Sequence, residues 1–307
     1  MNALDLLLSP WGLGLLGLLV GSFLNVVVHR TPLMLERQWW ADVAELLSDT
    51  SAFQRVFGRA PPTAVGTLAK TLETQLEGLP ALGLAKPASR CPHCGHKIRW
   101  FENIPLVSWL VLRGRCSACG AGISARYPLI ELLTGALFAA MAWKIGPKPE
   151  ALLWCGVLAV LVALSAIDWD TTVLPDAMTL PLLWAGLVAA AAGWTTTSLP
   201  GALWGAVAGY LSLWSVYWLF KLVTGKEGMG YGDFKLLAAL GAWLSWQAIL
   251  PIVLSASIIG ALVGIVMKAT GGLREGRFVP FGPFLAGGGV AVMLIGLPRV
   301  LAFMGWA

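Results

Sequence analysis

Eight apolar stretches recur along this chain, at residues 8–28, 128–146, 150–167, 177–194, 199–223, 233–251, 252–270 and 281–305. Most approach the ~20 residues that a helix needs to cross the hydrocarbon of a bilayer. Several windows are interrupted by Gly or Pro, which membrane helices tolerate when neighbours satisfy the freed backbone groups. A large soluble protein has no need of so many helices that are apolar on all sides. Charged residues are only 12% of the 307, hydrophobic ones 57%, and the mean hydropathy is +0.75. That balance argues against a large soluble core. The expected fold class is an all-α polytopic membrane protein of about eight transmembrane helices with a small zinc-binding cytoplasmic insert.

Charge sets the expected orientation. No Lys or Arg precedes Arg30, Asp5 leads, and "HRTP" follows the first window. The pattern reads as a membrane helix with its N-terminus outside, rather than a cleavable export signal. Through eight alternating crossings, 18 Lys and Arg fall on the cytoplasmic side and 3 outside. Three regions follow: residues 1–28 as the first transmembrane helix, 29–127 as the cytoplasmic insert, and 128–307 as a seven-helix membrane domain. Within the insert, Leu35, Trp39, Val43 and Leu46 share one helical face, as do Leu68, Leu72, Leu76 and Leu79. These stripes suit packing or, with 12 basic against 7 acidic residues nearby, an anionic lipid surface. Membrane lipid is an expected partner; nucleic acid is not.

The insert carries "CPHCGHKIRW" and "GRCSACGAG". Cys91, Cys94, Cys116 and Cys119 thus form two C-x-x-C knuckles separated by 21 residues. Each knuckle turns two thiolates toward one ion, and two knuckles supply the tetrahedral sulfur set that Zn²⁺ prefers. Four thiolates close the shell, so the expected metal is structural. His93 and His96 read as loop residues, and Cys155 as a small core residue.

Acids are scarce beyond residue 127, yet three fall in "AIDWDTTVLPD" and one in "GMGYGDFKLLAALGAW". Asp168 ends one apolar window and Asp233 begins another, on the same side of the membrane. Ionisable groups at that depth are functional candidates. Two carboxylates held close cannot both ionise, so one takes a proton from water while the other donates to a carbonyl. Gly228, Gly230 and Gly232 are expected to allow irregular backbone and close approach of a second chain at this helix mouth. The residues alone also accommodate an ion-coupled transporter using paired Asp, or plain helix capping by Asp176 and Asp233. Segment 167–178, with three Asp and no Lys or Arg, is expected to form an acidic island.

Four segments together resemble the prepilin peptidases, membrane aspartyl proteases of type IV pilus and type II secretion systems. They are "GSFLNVVVHRTP", the cysteine region through "ARYPLIELLTG", "DWDTTVLPD" and "GMGYGDFKL". The last is shared in outline with preflagellin peptidases and presenilins, and Thr31 is the one small departure noted. The resemblance implies that Asp168 and Asp233 are the catalytic pair, with Asp176, Gly230 and Gly232 in supporting roles. It implies a pilin-like precursor with a basic leader as substrate, cut after a Gly at the cytoplasmic face of the bacterial inner membrane. It further implies N-methylation of the new N-terminus with S-adenosylmethionine. For that second activity the segment "FENIPLVSWLVLRGR" is the place expected to hold the donor, with Glu102, Asn103 and Gly114 as contacts.

Overall fold

A computed structural model describes residues 3–271 and 279–306. The short α1 (Ala3–Leu7) leads into α2 (Pro10–Ser48), which opens where the Ser9 side chain accepts the Gly12 N–H and Pro10 needs no partner. At 39 residues α2 is about 58 Å long, roughly twice the hydrocarbon thickness. It therefore runs straight out of the first apolar window, through Pro32, and carries the polar stripe as its own extension. α3 (Thr50–Phe57) and α4 (Thr63–Glu77) turn the chain back along that extension. The seam between α2 and α4 is made by Ala44 and Ala69, each 1% exposed. Trp39, Val43, Leu46, Leu68 and Leu79 are exposed, whereas Leu35, Leu72 and Leu76 are half-buried, so only part of each apolar stripe is covered.

After the cysteine region comes the short α5 (Val107–Val111), and then every remaining apolar window forms a helix. These are α6 (Arg126–Ile145), α7 (Glu150–Thr171), α8 (Asp176–Ala191), α9 (Leu199–Thr224), α10 (Tyr231–Leu244), α11 (Ile249–Ala269), α12 (Gly282–Ile295) and α13 (Leu297–Phe303). Five helices, α2, α6, α7, α9 and α11 with its preceding turn, are long and apolar enough to cross a membrane. The pair α12 and α13 makes a sixth if taken as one span, bent by 103° at Gly296. α8 and α10 have only 16 and 14 residues. The chain is a multi-pass membrane protein. The window 233–251 differs from expectation in detail. α10 stops at Leu244 because Ser245 takes a positive φ of 75°, and a 3₁₀ turn leads straight into α11.

Glycine seams bring the backbones together. A Cβ on Gly205 would stand 2.1 Å from the Gly241 oxygen, and one on Gly209 2.5 Å from the Leu237 oxygen, so α9 lies directly against α10. Gly17 and Gly21 likewise press α2 onto Gly135 and the Glu131 Cα of α6. Such small-residue seams drive helix association where both alternatives are equally apolar. α10 is thereby enclosed; from Leu236 through Leu244 every residue is buried. Trp243 fills its far end and donates its indole N–H to the Leu182 carbonyl at 2.8 Å. The outer faces of α2, α6, α9 and α11 present large apolar side chains, as lipid requires.

Candidate functional site

Four pieces of chain meet at one end of the bundle: the end of α7, the linker 172–175, and the starts of α10 and α12. Asp168, in the last turn of α7, is 4% exposed, and Asp233, in the first turn of α10, is 7% exposed. The Gly282 backbone N–H, opening α12, donates to Asp168 Oδ2 at 3.0 Å. Leu174 lies against both Gly232 and Gly282, so it links the α10 side of the site to the α12 side. The two carboxylates lie within electrostatic reach of each other. No extensive α7–α10 seam brings them there; α12 packs against both helices. Asp233 Oδ1 is buried and has no hydrogen-bond partner among the described residues. A buried, unpartnered carboxylate oxygen is costly, which makes Asp233 a candidate functional group.

The neighbouring acids have other tasks. Asp170, two residues and about 200° around the helix from Asp168, faces outward and accepts both its bonds from Arg126 Nη1, at 2.7 and 2.6 Å. Asp176, in the first turn of α8, accepts from Lys235 Nζ at 2.7 Å through both oxygens. The acidic island expected at 167–178 is therefore neutralised: two of its acids are ion-paired within the chain and the third is buried. The backbone leading into α10 is irregular from Gly225 to Gly230. Gly230 has an ordinary φ of −83°, and neither it nor Gly228 nor Gly232 adopts a positive φ. Gly232 is required for clearance, since its Cβ would meet the Leu174 Cβ at 2.8 Å. Gly230 opens onto space whose nearest atoms, Asp233 Oδ2 among them, are 4.0 Å away. The chain leading to Asp233 is pinned by Lys221 Nζ, which donates to Glu227 Oε1 at 2.9 Å and to the Tyr217 hydroxyl at 3.2 Å.

The four cysteines converge as their spacing predicts. One sulfur from each of Cys91, Cys94, Cys116 and Cys119 lies within 4.8 Å of all the others. The pairs Cys91–Cys119 and Cys94–Cys116 stand at 3.9 and 4.0 Å. A tetrahedron of zinc–sulfur bonds of about 2.3 Å has edges of about 3.8 Å, so the set fits one such ion. The two knuckles are built alike. Gly95 and Gly120 take φ of 71° and 72°, and each donates its N–H to the first cysteine's carbonyl. Glu102 ties the knuckles together, accepting from Ser117 Oγ at 2.6 Å and from the Arg99 N–H at 2.8 Å, and pairing with His96 Nε2 at 3.2 Å. The Ser117 hydroxyl foremost, then the Arg99 N–H and His96, hold its carboxyl down at a pKa of about 2. His96 is thus a partner of Glu102 and not a fifth ligand, and Cys155 is buried in the core.

Between α2, the knuckles, α5 and the start of α6 lies a cavity of about 590 Å³. Glu102 and Asn103 line it, while Gly114 does not. Gly114 backs the indole of Trp109, where a Cβ would stand 3.0 Å from Cζ2. Arg30, 8% exposed, closes the cavity by donating to the carbonyls of Gly83, Leu84 and Pro87. Asn25, Arg30, Glu131 and Gly282 were not singled out by sequence reasoning. The motif "GSFLNVVVHRTP" signalled the first two, and the Pro-Gly punctuation of "VPFGPF" signalled the last.

Known proteins resemble this chain over most of its length. Residues 15–145 match the bacterial peptidase A24 N-terminal domain, and residues 155–265 match the type IV leader peptidase family. The first span holds the cysteine cluster, the second Asp168 and Asp233. A prepilin leader peptidase/N-methyltransferase of Burkholderia pseudomallei strain K96243 is 50% identical over 291 residues, 94% of this chain and 86% of the relative. The protein of the same name from Stutzerimonas stutzeri is 50% identical over 281 residues, 92% and 89% of the two chains. That of Pseudomonas aeruginosa is 50% identical over 282 residues, again 92% and 89%. No solved structure matches the chain.

Proposed function

This chain belongs to the type IV prepilin leader peptidase family, and we propose that it removes the basic leader from pilin-like precursors and N-methylates the new N-terminus. The observation that carries the first activity is the meeting of two buried carboxylates, Asp168 and Asp233, from stretches of chain 65 residues apart. At such a site the pair holds one proton between them. The ionised member accepts a proton from water, and the water oxygen bonds to the scissile carbonyl carbon. The protonated member donates to the carbonyl oxygen. Collapse of the tetrahedral intermediate breaks the C–N bond, and the departing nitrogen takes a proton from the dyad. Gly230 leaves room for an extended precursor segment beside the pair, Gly232 lets Leu174 close in on the start of α10, and the Asp176–Lys235 bond steadies α8 against α10.

We assign residues 1–28 to a first transmembrane helix with its N-terminus outside, 29–127 to a cytoplasmic domain, and 128–307 to the membrane protease domain of a bacterial inner-membrane protein. In this orientation the precursor's apolar helix lies in lipid against the bundle and its leader junction reaches the dyad at the inner boundary. Cys91, Cys94, Cys116 and Cys119 hold a structural Zn²⁺; with its shell closed by sulfur it takes no part in hydrolysis. For the second activity, Glu102 and Asn103 border the donor cavity and Gly114 acts behind Trp109. S-adenosylmethionine, when bound, supplies a methyl group to the product amine; the C–S electron pair stays on sulfur and the amine proton leaves to solvent.

The test is the purified chain with a pilin-like precursor, read by mass spectrometry for both the cut position and the added methyl group. Asp168→Asn and Asp233→Asn should each abolish cleavage while retaining zinc. Cleavage surviving in either variant would remove that residue from the dyad.

A further inference from the structure

The largely apolar cavity beneath the cysteine knuckles carries a few polar groups that the protease does not use. Its volume of about 590 Å³ is that of a small-molecule site, about 300–1,000 Å³. α2 contributes Ser22, Asn25 and His29, one face of the helix at i, i+3 and i+7, and α6 contributes Tyr127 and Glu131. Ser22 and Asn25 are each 9% exposed and Glu131 8%. Asn25 spends its amide hydrogens on the walls, donating to the Gly21 and Tyr127 carbonyls. Its own oxygen has no hydrogen bond among the described residues.

Glu131 is the group that most needs explaining. Its Oε2 accepts the Leu106 N–H at 2.8 Å, and its Oε1 has no hydrogen bond among the described residues. No cation pairs with it among the described residues; Arg30, which lines the same cavity, directs its bonds to three carbonyls instead. A carboxylate buried at the membrane end of a helix is expensive without a counter-charge. The same cavity is lined by Trp109, whose indole is held in place by its bond to the Ile123 carbonyl at 3.2 Å and by Gly114 against the ring. A fixed aromatic plane, hydrogen-bonding amides and a carboxylate awaiting a cation suit a ligand that joins a flat heterocycle to a positive centre.

We propose that this cavity is the methyl-donor site, with Glu131 as the counter-charge to the donor's sulfonium and Trp109 as the platform for its adenine. The inference rests on the methyl-transfer reading above, which already puts the donor in this cavity, and adds to it a charge partner and a stacking platform. The location also suits two successive reactions. Arg126 at the start of α6 bonds to Asp170 and the Ala166 carbonyl of α7, while Tyr127 and Glu131 face the cavity. One helix end thus separates the dyad from the donor site.

Binding of two probes to the zinc-loaded full chain in detergent tests this without relying on turnover. Sinefungin carries a cationic amine where the donor has its sulfonium; S-adenosylhomocysteine carries a neutral sulfur. Wild type should bind sinefungin more tightly. Glu131→Gln, which can still accept the Leu106 N–H, should weaken sinefungin by about tenfold and leave S-adenosylhomocysteine within about threefold. Trp109→Leu should weaken both probes alike and keep the preference, and it serves if the Gln variant fails to fold. Cleavage of precursor and zinc content should match wild type in both variants. Unchanged affinity for both probes in the folded variants overturns the proposal. Wild type that neither binds a probe nor methylates a cleaved precursor overturns the methyl-transfer reading itself. Wild type that methylates alongside an equally active Glu131→Gln overturns the site alone.

Discussion

Gly282→Ala isolates the dyad's geometry from everything else in the bundle. The added Cβ would stand 2.6 Å from Oδ2 and 3.2 Å from Cγ of Asp168, and 3.2 Å from Cδ1 of Leu174. Ordinary contact lies near about 3.5 Å, so the carboxylate must retreat by roughly 0.6–0.9 Å. The 3.0 Å bond from the Gly282 N–H then stretches beyond about 3.5 Å and is lost, removing a charge-assisted interaction of about 1.5–3 kcal/mol. A catalytic group displaced by about 1 Å loses about 10²-fold in rate. Backbone strain does not enter, because Gly282 has no positive φ, and Ala favours a helix over Gly by about 1 kcal/mol. The folded protein should therefore persist while precursor cleavage slows by about 10²-fold in kcat, with KM changed far less. Gly287→Ala, on the same helix but with nothing within 4 Å of the new Cβ, is the matched control and should be silent. A Gly282→Ala enzyme that cleaves within about threefold of wild type would show that α12 does not position Asp168 for the reaction.

The other predictions concern the parts around that centre. Cys91→Ser/Cys116→Ser should carry no zinc by metal analysis; retained stoichiometric metal would refute the four-sulfur set. Glu102→Gln should lose zinc faster than wild type to a chelator, since one carboxylate ties both knuckles. With its pKa lowered to about 2 from 4.5, that carboxylate's contribution is present in full above about pH 4.5 and fades as pH falls through about 2. The wild-type advantage should accordingly be constant from pH 6 to 8, and an advantage that varied across that range would contradict it. Asp170→Asn should change the apparent affinity for a basic leader by twofold or less, because Asp170 is already paired with Arg126 and an exposed pair is worth about 0–1 kcal/mol. Gly241→Ala drives a methyl to within 2.1 Å of the Gly205 oxygen. It should lower thermal stability by about 1–3 kcal/mol or more by forcing α9 off α10, visible as a lower melting temperature in detergent.

Local information sufficed for much of this molecule. Apolar window length gives helices because lipid leaves the backbone no other way to satisfy its hydrogen bonds. All eight windows are helical, although 233–251 breaks at Ser245 and 281–305 at Gly296, and the C-x-x-C spacing brings four sulfurs within 4.8 Å because each knuckle is closed by bonds inside six residues. The burial of Asp168, and the outward turn of Asp170, follow from helical periodicity at the end of an apolar run.

What sequence could not show depends on contacts between residues far apart in the chain. That α12 packs against both α7 and α10 and sets the Gly282 N–H on Asp168 depends on contacts such as Gly289 against Leu240, whose partners lie far apart in the chain. The neutralisation of Asp170 and Asp176 needed Arg126 and Lys235 to arrive from 44 and 59 residues away. The reach of α2 past the membrane, the bend at Gly296 and the cavity around Glu131 were likewise decided by packing. Hydropathy and spacing report what one segment needs; only close approach of whole helices determines which groups a buried charge will meet.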